Sequence, residues 1–170
     1  MSTKPGLLLK ADQIAAAPEV HFRHPLNPNS DIYLRPLAEV AGFERLGLSI
    51  GRVPPGRDSF VYHSHERDEE FLYILAGRGR IDIDGTVSDV GPGDFMGFPT
   101  PSAGHHLSNP FEEDLIYLMG GERSMGDIGH FPRHGKKALK IGTGFFFVDD
   151  AAIEQLDMEK AFPDGLPAME

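Results

Sequence analysis

Glycine and proline cut this chain into short pieces. Its 170 residues include 20 glycines and 14 prolines, spaced through the middle so that the apolar runs between them are no longer than a β-strand. Within those runs the period is two: Leu46, Leu48 and Ile50 alternate with Gly47, Ser49 and Gly51, and Ile81 and Ile83 flank Asp82. Such alternation is the pattern of a half-buried strand. Turns fall at Pro54-Pro55-Gly56, at Gly91-Pro92-Gly93-Asp94 and at Asp84-Gly85, the last a strong two-residue hairpin signal. Many short strands closed by turns predict an all-β sandwich or barrel.

Further strands are expected at 60–65, 70–76, 95–98, 105–109, 115–119 and 144–148. Strand 70–76 is apolar on both faces, with Leu72 and Ile74 on one and Phe71, Tyr73 and Leu75 on the other. It therefore calls for cover on both sides, from the terminal extensions or from another subunit. The barrel is placed at 43–120. Residues 1–42 form an N-terminal extension packing on it, with one or two helical turns at 12–17 before Pro18 and an extended loop at 24–29. The C-terminal extension, 121–170, is expected to be irregular up to Lys140. It then forms one short strand and a final helix through Ile153 and Leu156, capped by Asp149 or Asp150.

A chain of this length buries a single real core. It has no cysteine, which excludes disulfides, thiolate metal ligands and a cysteine nucleophile. The formal net charge of −10 argues against a nucleic-acid partner, because a polyanion needs a basic patch. The short cluster Arg133-His134-Gly135-Lys136-Lys137 reads as a solvated loop. No apolar run is long enough to span a membrane, and Leu7-Leu8-Leu9 is too short for a secretory leader, so a cytoplasmic location is expected.

Chemistry concentrates in His63-Ser64-His65, Glu70 and His105. Residues two apart on a strand point to the same face, which brings the first two imidazoles together. Glu70 opens strand 70–76 on the same parity as Leu72 and Ile74, and an inward carboxylate must be paired or metal-bound to tolerate burial; Glu69 is its rival. With a later histidine, the set makes a divalent transition-metal site with room for water or substrate. Arg52 shares the parity of Leu46, Leu48 and Ile50. It is a candidate inward cation for a substrate carboxylate or phosphate, against the plainer reading in which it snorkels to the rim.

These residues carry a resemblance to the cupin superfamily. The family's first motif is glycine, five residues, His-x-His, three or four residues, Glu, six residues, glycine. It appears here as Gly56, His63-Ser64-His65, Glu70 and Gly77, with Gly56 one residue further out. The second motif appears as Gly93, Pro99-Thr100-Pro101, His105 and Asn109, with Pro101 in place of the usual glycine and one extra residue before the histidine. Spacing to Asn109 keeps His105 in the family register, and adjacent His106 is the rival ligand. The resemblance covers about residues 45–120. It implies a double-stranded β-helix (jelly-roll) barrel and the metal ligands His63, His65, Glu70 and His105.

Four such ligands leave about two positions open on an octahedral ion, which suits Fe(II), Mn(II), Ni(II) or Co(II), while Zn(II) leaves fewer. Fe(II) is favoured, with a dioxygenase-like reaction on a small organic acid or aromatic substrate bound to the metal. The alternatives are a sugar or sugar-phosphate isomerase or epimerase, and a small-ligand-binding cupin without catalysis. A homodimer is expected, since small cupins commonly pair.

Overall fold

The computed structural model describes residues 8–141, 144–157 and 160. Helix α1 (Ala11–Ala16) stops before Pro18 as expected. The rest of the N-terminal segment is more regular than its composition suggests. Strands β1 (Val20–Phe22) and β2 (Ile32–Pro36) pair antiparallel around the 24–29 loop. A five-residue helix, α2 (Leu37–Ala41), then ends at Gly42, whose φ of 76° suits a residue without a Cβ.

Nine strands follow through the middle: β3 (Leu46–Val53), β4 (Arg57–Asp58), β5 (Ser64–His65), β6 (Glu70–Ala76), β7 (Gly79–Ile83), β8 (Thr86–Val90), β9 (Phe95–Phe98), β10 (His105–Asn109) and β11 (Leu115–Glu122). The β7–β8 hairpin turns at Asp84-Gly85, both with positive φ, as such a turn demands. The strand expected at 60–65 shrinks to β5, because residues 60–62 give their bonds elsewhere. The Phe60 carbonyl accepts from the Asn27 side chain, and the Val61 carbonyl faces the His63 ring.

Beyond Gly121 the chain is not irregular. It forms β12 (Ile128–Phe131), β13 (Lys136–Ile141) and β14 (Gly144–Asp149) in antiparallel succession. Gly126 and Gly135 both adopt positive φ at turns flanking β12. The final helix expected after Asp149 is a single 3₁₀ turn, Asp150–Ala152, with no side-chain cap.

Among the described residues three antiparallel sheets result, ordered β1-β2-β3-β11-β6-β9, β4-β10-β7-β8 and β14-β13-β12-β5. This is a jelly-roll architecture built on a core of Ile32, Val53, Ile74, Ile81, Phe98, Leu107, Leu115 and Tyr117. Tyr117 is fully buried, and its hydroxyl pairs with Ser59 Oγ at 2.7 Å. Space for its ring comes from Gly51 opposite on β3, where a Cβ would lie 2.7 Å from the Tyr117 Cζ. A smaller cluster of Val61, Phe131 and Ala138, with Leu26 against it, ties the β12–β13 sheet to the barrel.

On β6 the parity is as expected, with Ile74 buried in the core. The opposite face lacks the expected cover: Tyr73 and Leu75 are 39% and 42% exposed, and neighbouring Phe95 is 64% exposed. Among the described residues no helix is long and apolar enough to cross a membrane.

Candidate metal centre

His63 and His105 meet as a cross-strand pair. Each backbone N–H donates to the other's carbonyl, at 3.1 and 2.8 Å, and the ring centroids are 4.5 Å apart. Phe98 stacks flat on His105 with 3.7 Å between centroids, walling that ring in. His65 sits two residues on from His63, its backbone N–H donating to Ser102 Oγ at 2.7 Å. Glu70 opens β6 across from them, on the same face as Leu72 and Ile74.

All three rings point Nε2 at one carboxylate oxygen. The separations from Glu70 Oε2 are 3.6 Å for His63, 3.5 Å for His65 and 3.4 Å for His105. At metal–ligand lengths of about 2.1 Å, ligand atoms about 90–120° apart around an ion lie roughly 3.0–3.6 Å from one another. The ligand atoms of His63, Glu70 and His105 all fall within 4.8 Å of one another; His65 is not in that mutually close set, although its Nε2 faces the same Glu70 oxygen.

Hydrogen-bond accounting strengthens the fit. Each Nδ1 faces an acceptor: the Val61 carbonyl at 2.7 Å for His63, the Ala103 carbonyl at 3.0 Å for His105 and the Asp127 carboxylate at 2.6 Å for His65. A neutral imidazole has one N–H, and here it is committed to the Nδ1 side. With those N–H groups on the Nδ1 side, three Nε2 atoms converge on one carboxylate oxygen. A proton or a metal cation between them relieves that arrangement, and imidazole and carboxylate donors, His63, Glu70 and His105 close together with His65 beside them, are of the kind a divalent transition metal takes.

Electrostatics agree. Burial pushes the Glu70 carboxyl up, but the facing imidazoles outweigh it and hold it well below the usual carboxylate range, so it is ionised at neutral pH. Burial lowers His63, which stays neutral and ready to ligate. Burial also disfavours charge on His65, yet the hydrogen bond to Asp127 and the nearby charges of Glu70, Asp127 and Asp68 raise its pKa overall.

The cluster opens into a cavity of about 410 Å³. Phe60, Leu72 and Met119 form apolar walls, and Arg123 and Lys140 bring two cations to it. Lys140 Nζ lies 3.4 Å from Asp68 Oδ2, and Arg123 pairs with Glu39. Asp127, Arg123 and Lys140 escape the sequence reading because they lie beyond residue 121.

Arg52 does not join this group. On β3, Gly51 and Val53 face the core, so Leu46, Leu48, Ile50 and Arg52 point outward. Arg52 lies 4.2 Å over the Tyr33 ring and makes a two-pronged contact with Glu19, at 2.7 and 3.1 Å. His106 also stands apart, with Nε2 3.7 Å from Asp58. Glu69 contributes its backbone, donating to Glu122 and accepting from the Glu122 N–H.

The "Cupin domain" family (Cupin_2) matches residues 49–120. Among solved structures, the "Putative sugar phosphate isomerase" from Acidithiobacillus ferrooxidans is similar at 33% identity and a TM-score of 0.85, over 88% of this chain and 96% of that one. The "sugar phosphate isomerase from a cupin superfamily" from Silicibacter pomeroyi matches at 21% identity and a TM-score of 0.75, over 89% and 98%. The "predicted oxalate decarboxylase" from Thermotoga maritima matches at 19% and 0.57, over 65% and 96%. No curated protein matches. Both motifs, the jelly-roll sheets and a relative one-third identical over nearly its whole length agree, and the chain belongs to the cupin superfamily.

Proposed function

We propose that this protein is a divalent-metal-dependent isomerase of a small sugar phosphate, with His63, His65, Glu70 and His105 as metal ligands. One observation carries the reading: the convergent Nε2 lone pairs and ionised carboxylate lie in a cavity that also holds Arg123 and Lys140. Bound there, the metal would act as a Lewis acid on a substrate carbonyl or hydroxyl. Lys140 and Arg123 would hold the phosphate, each exchanging a carboxylate partner for it. Phe60, Leu72 and Met119 would exclude water from the carbon skeleton. The similarity to the Acidithiobacillus structure supports this class.

The test is interconversion of aldose and ketose phosphates, followed by NMR with protein loaded in turn with Fe(II), Mn(II), Ni(II), Co(II) and Zn(II). Turnover that vanishes in His105→Ala and rises in KM in Lys140→Met is expected. A dioxygenase acting on an aromatic or organic acid is the second reading, and the apolar walls favour it. Oxygen uptake by the Fe(II) form over such acids would replace the isomerase assignment. Tight retention of a small molecule without turnover in either panel would make the protein a binding cupin.

A further inference from the structure

His65 differs from the other two candidate ligands in what holds its far nitrogen. His63 and His105 lean on carbonyls of their own segments, two residues back. The His65 Nδ1 instead meets a carboxylate from a distant part of the chain, Asp127 Oδ2, at 2.6 Å. Asp127 is 4% exposed and belongs to the turn between β11 and β12. That turn lies outside the matched cupin region.

The second oxygen of the same carboxylate is also committed. Asp127 Oδ1 accepts the backbone N–H of Arg67 at 3.0 Å and of Asp68 at 3.2 Å. These residues form the bend that separates His65 from Glu70. The contact is reciprocal, since Asp68 Oδ1 accepts both the backbone N–H (2.9 Å) and the hydroxyl of Ser124. Two loops thus clasp each other through one carboxylate apiece, and Lys140 closes the clasp by donating its N–H to the Asp127 carbonyl.

We propose that Asp127 is a positioning residue of the metal centre: it holds His65 in the Nδ1–H tautomer, with Nε2 free toward Glu70, and fixes the bend that delivers Glu70. A histidine's ligating nitrogen is chosen by the hydrogen bond its other nitrogen makes. An anionic acceptor also makes the imidazole a stronger donor to a cation than a carbonyl does. The inference rests on the metal-centre reading for its purpose and on the Asp127–His65 contact for its geometry.

Asp127→Asn gives a sharp test because it is isosteric. Two backbone N–H groups claim the one amide oxygen, so the amide NH₂ must face His65 Nδ1. His65 can then satisfy it only by accepting there, which moves its proton to Nε2, the nitrogen aimed at Glu70.

The experiment compares wild type, Asp127→Asn and the control Ser124→Ala. Ser124→Ala loosens the clasp without touching His65. Long-range ¹H–¹⁵N NMR of the metal-free proteins, recorded at alkaline pH where His65 is neutral, reads its tautomer, and chelator competition with Zn(II) reads affinity. In Asp127→Asn, His65 is expected to switch to Nε2–H and Zn(II) affinity to fall about 10–100-fold. Ser124→Ala should keep the wild-type tautomer and affinity while melting earlier.

An Asp127→Asn protein that keeps Nδ1–H and wild-type affinity overturns the proposal, as does an equal loss of affinity in Ser124→Ala. Failure of the wild type to bind any divalent metal would sink the metal-centre reading instead. The tautomer measurement would still decide whether Asp127 sets the state of His65.

Discussion

Gly51 is where a single atom decides packing. A methyl there would enter the Tyr117 ring, and neither β3 nor β11 can retreat without breaking the pairing that joins them. Gly51→Ala is expected to cost about 1–3 kcal/mol, the range for overpacking a tight core, read as a lower urea midpoint at unchanged m. The same glycine explains a misreading. An apolar residue at every even position of 46–50 suggests that the even face is the core face, and Arg52 inherits that direction. Bulk on the facing strand makes the odd, small residues the inward ones, and a bulky partner 66 residues away is invisible to local alternation. The histidines and Glu70 were legible because their spacing lies within one strand–bend–strand unit and one short return strand. Asp127 and Lys140 were not, since their contacts depend on how a later sheet folds back.

At the scale of elements, the loop between β1 and β2 packs by way of His24. Its ring sits among Phe22, Phe131 and Phe147, and its Nδ1 accepts the Leu26 N–H at 3.2 Å. Burial, aided by the nearness of His63 and His134, lowers its pKa to about 4. An unfolded histidine titrates near 6.5. Between those values the unfolded chain binds more protons, so this contribution to stability is complete above about pH 6.5 and is lost as pH falls toward 4. His24→Asn keeps an acceptor for Leu26 and removes the titration. Urea unfolding across that window should show a shallower pH dependence in the variant than in wild type. The middle strands and their turns could be read locally because each carries its own alternation and glycine punctuation. β12 and β13 could not, as Lys136 and Lys137 mask the period and the pairing partners His65 and Ser64 are distant in sequence.

For the whole molecule, ligand linkage gives a direct check on the centre. A divalent ion at 100 times its Kd stabilises the fold by ~2.7 kcal/mol, which for a chain of this size raises Tm by roughly 5–10 °C. Calorimetry should show that rise for wild type and none for Glu70→Gln. The exposed face of Tyr73, Leu75 and Phe95 bears on assembly: a second copy covering it would satisfy the two-sided burial that strand β6 calls for. Sedimentation at micromolar concentration is expected to give a dimer, and Phe95→Glu to shift it to monomer.

The centre has a floor and a roof made from different stretches of chain. His63, His65, Glu70 and His105 come from the matched cupin region, whereas Lys140 and Phe145 come from β13 and β14. Under the proposed function, ion binding and contact with the substrate thereby fall on separable stretches of chain. If that function holds, grafting the roof of a relative onto this floor, with Asp127 retained, should change which anions bind or react while leaving the Zn(II) affinity as it was.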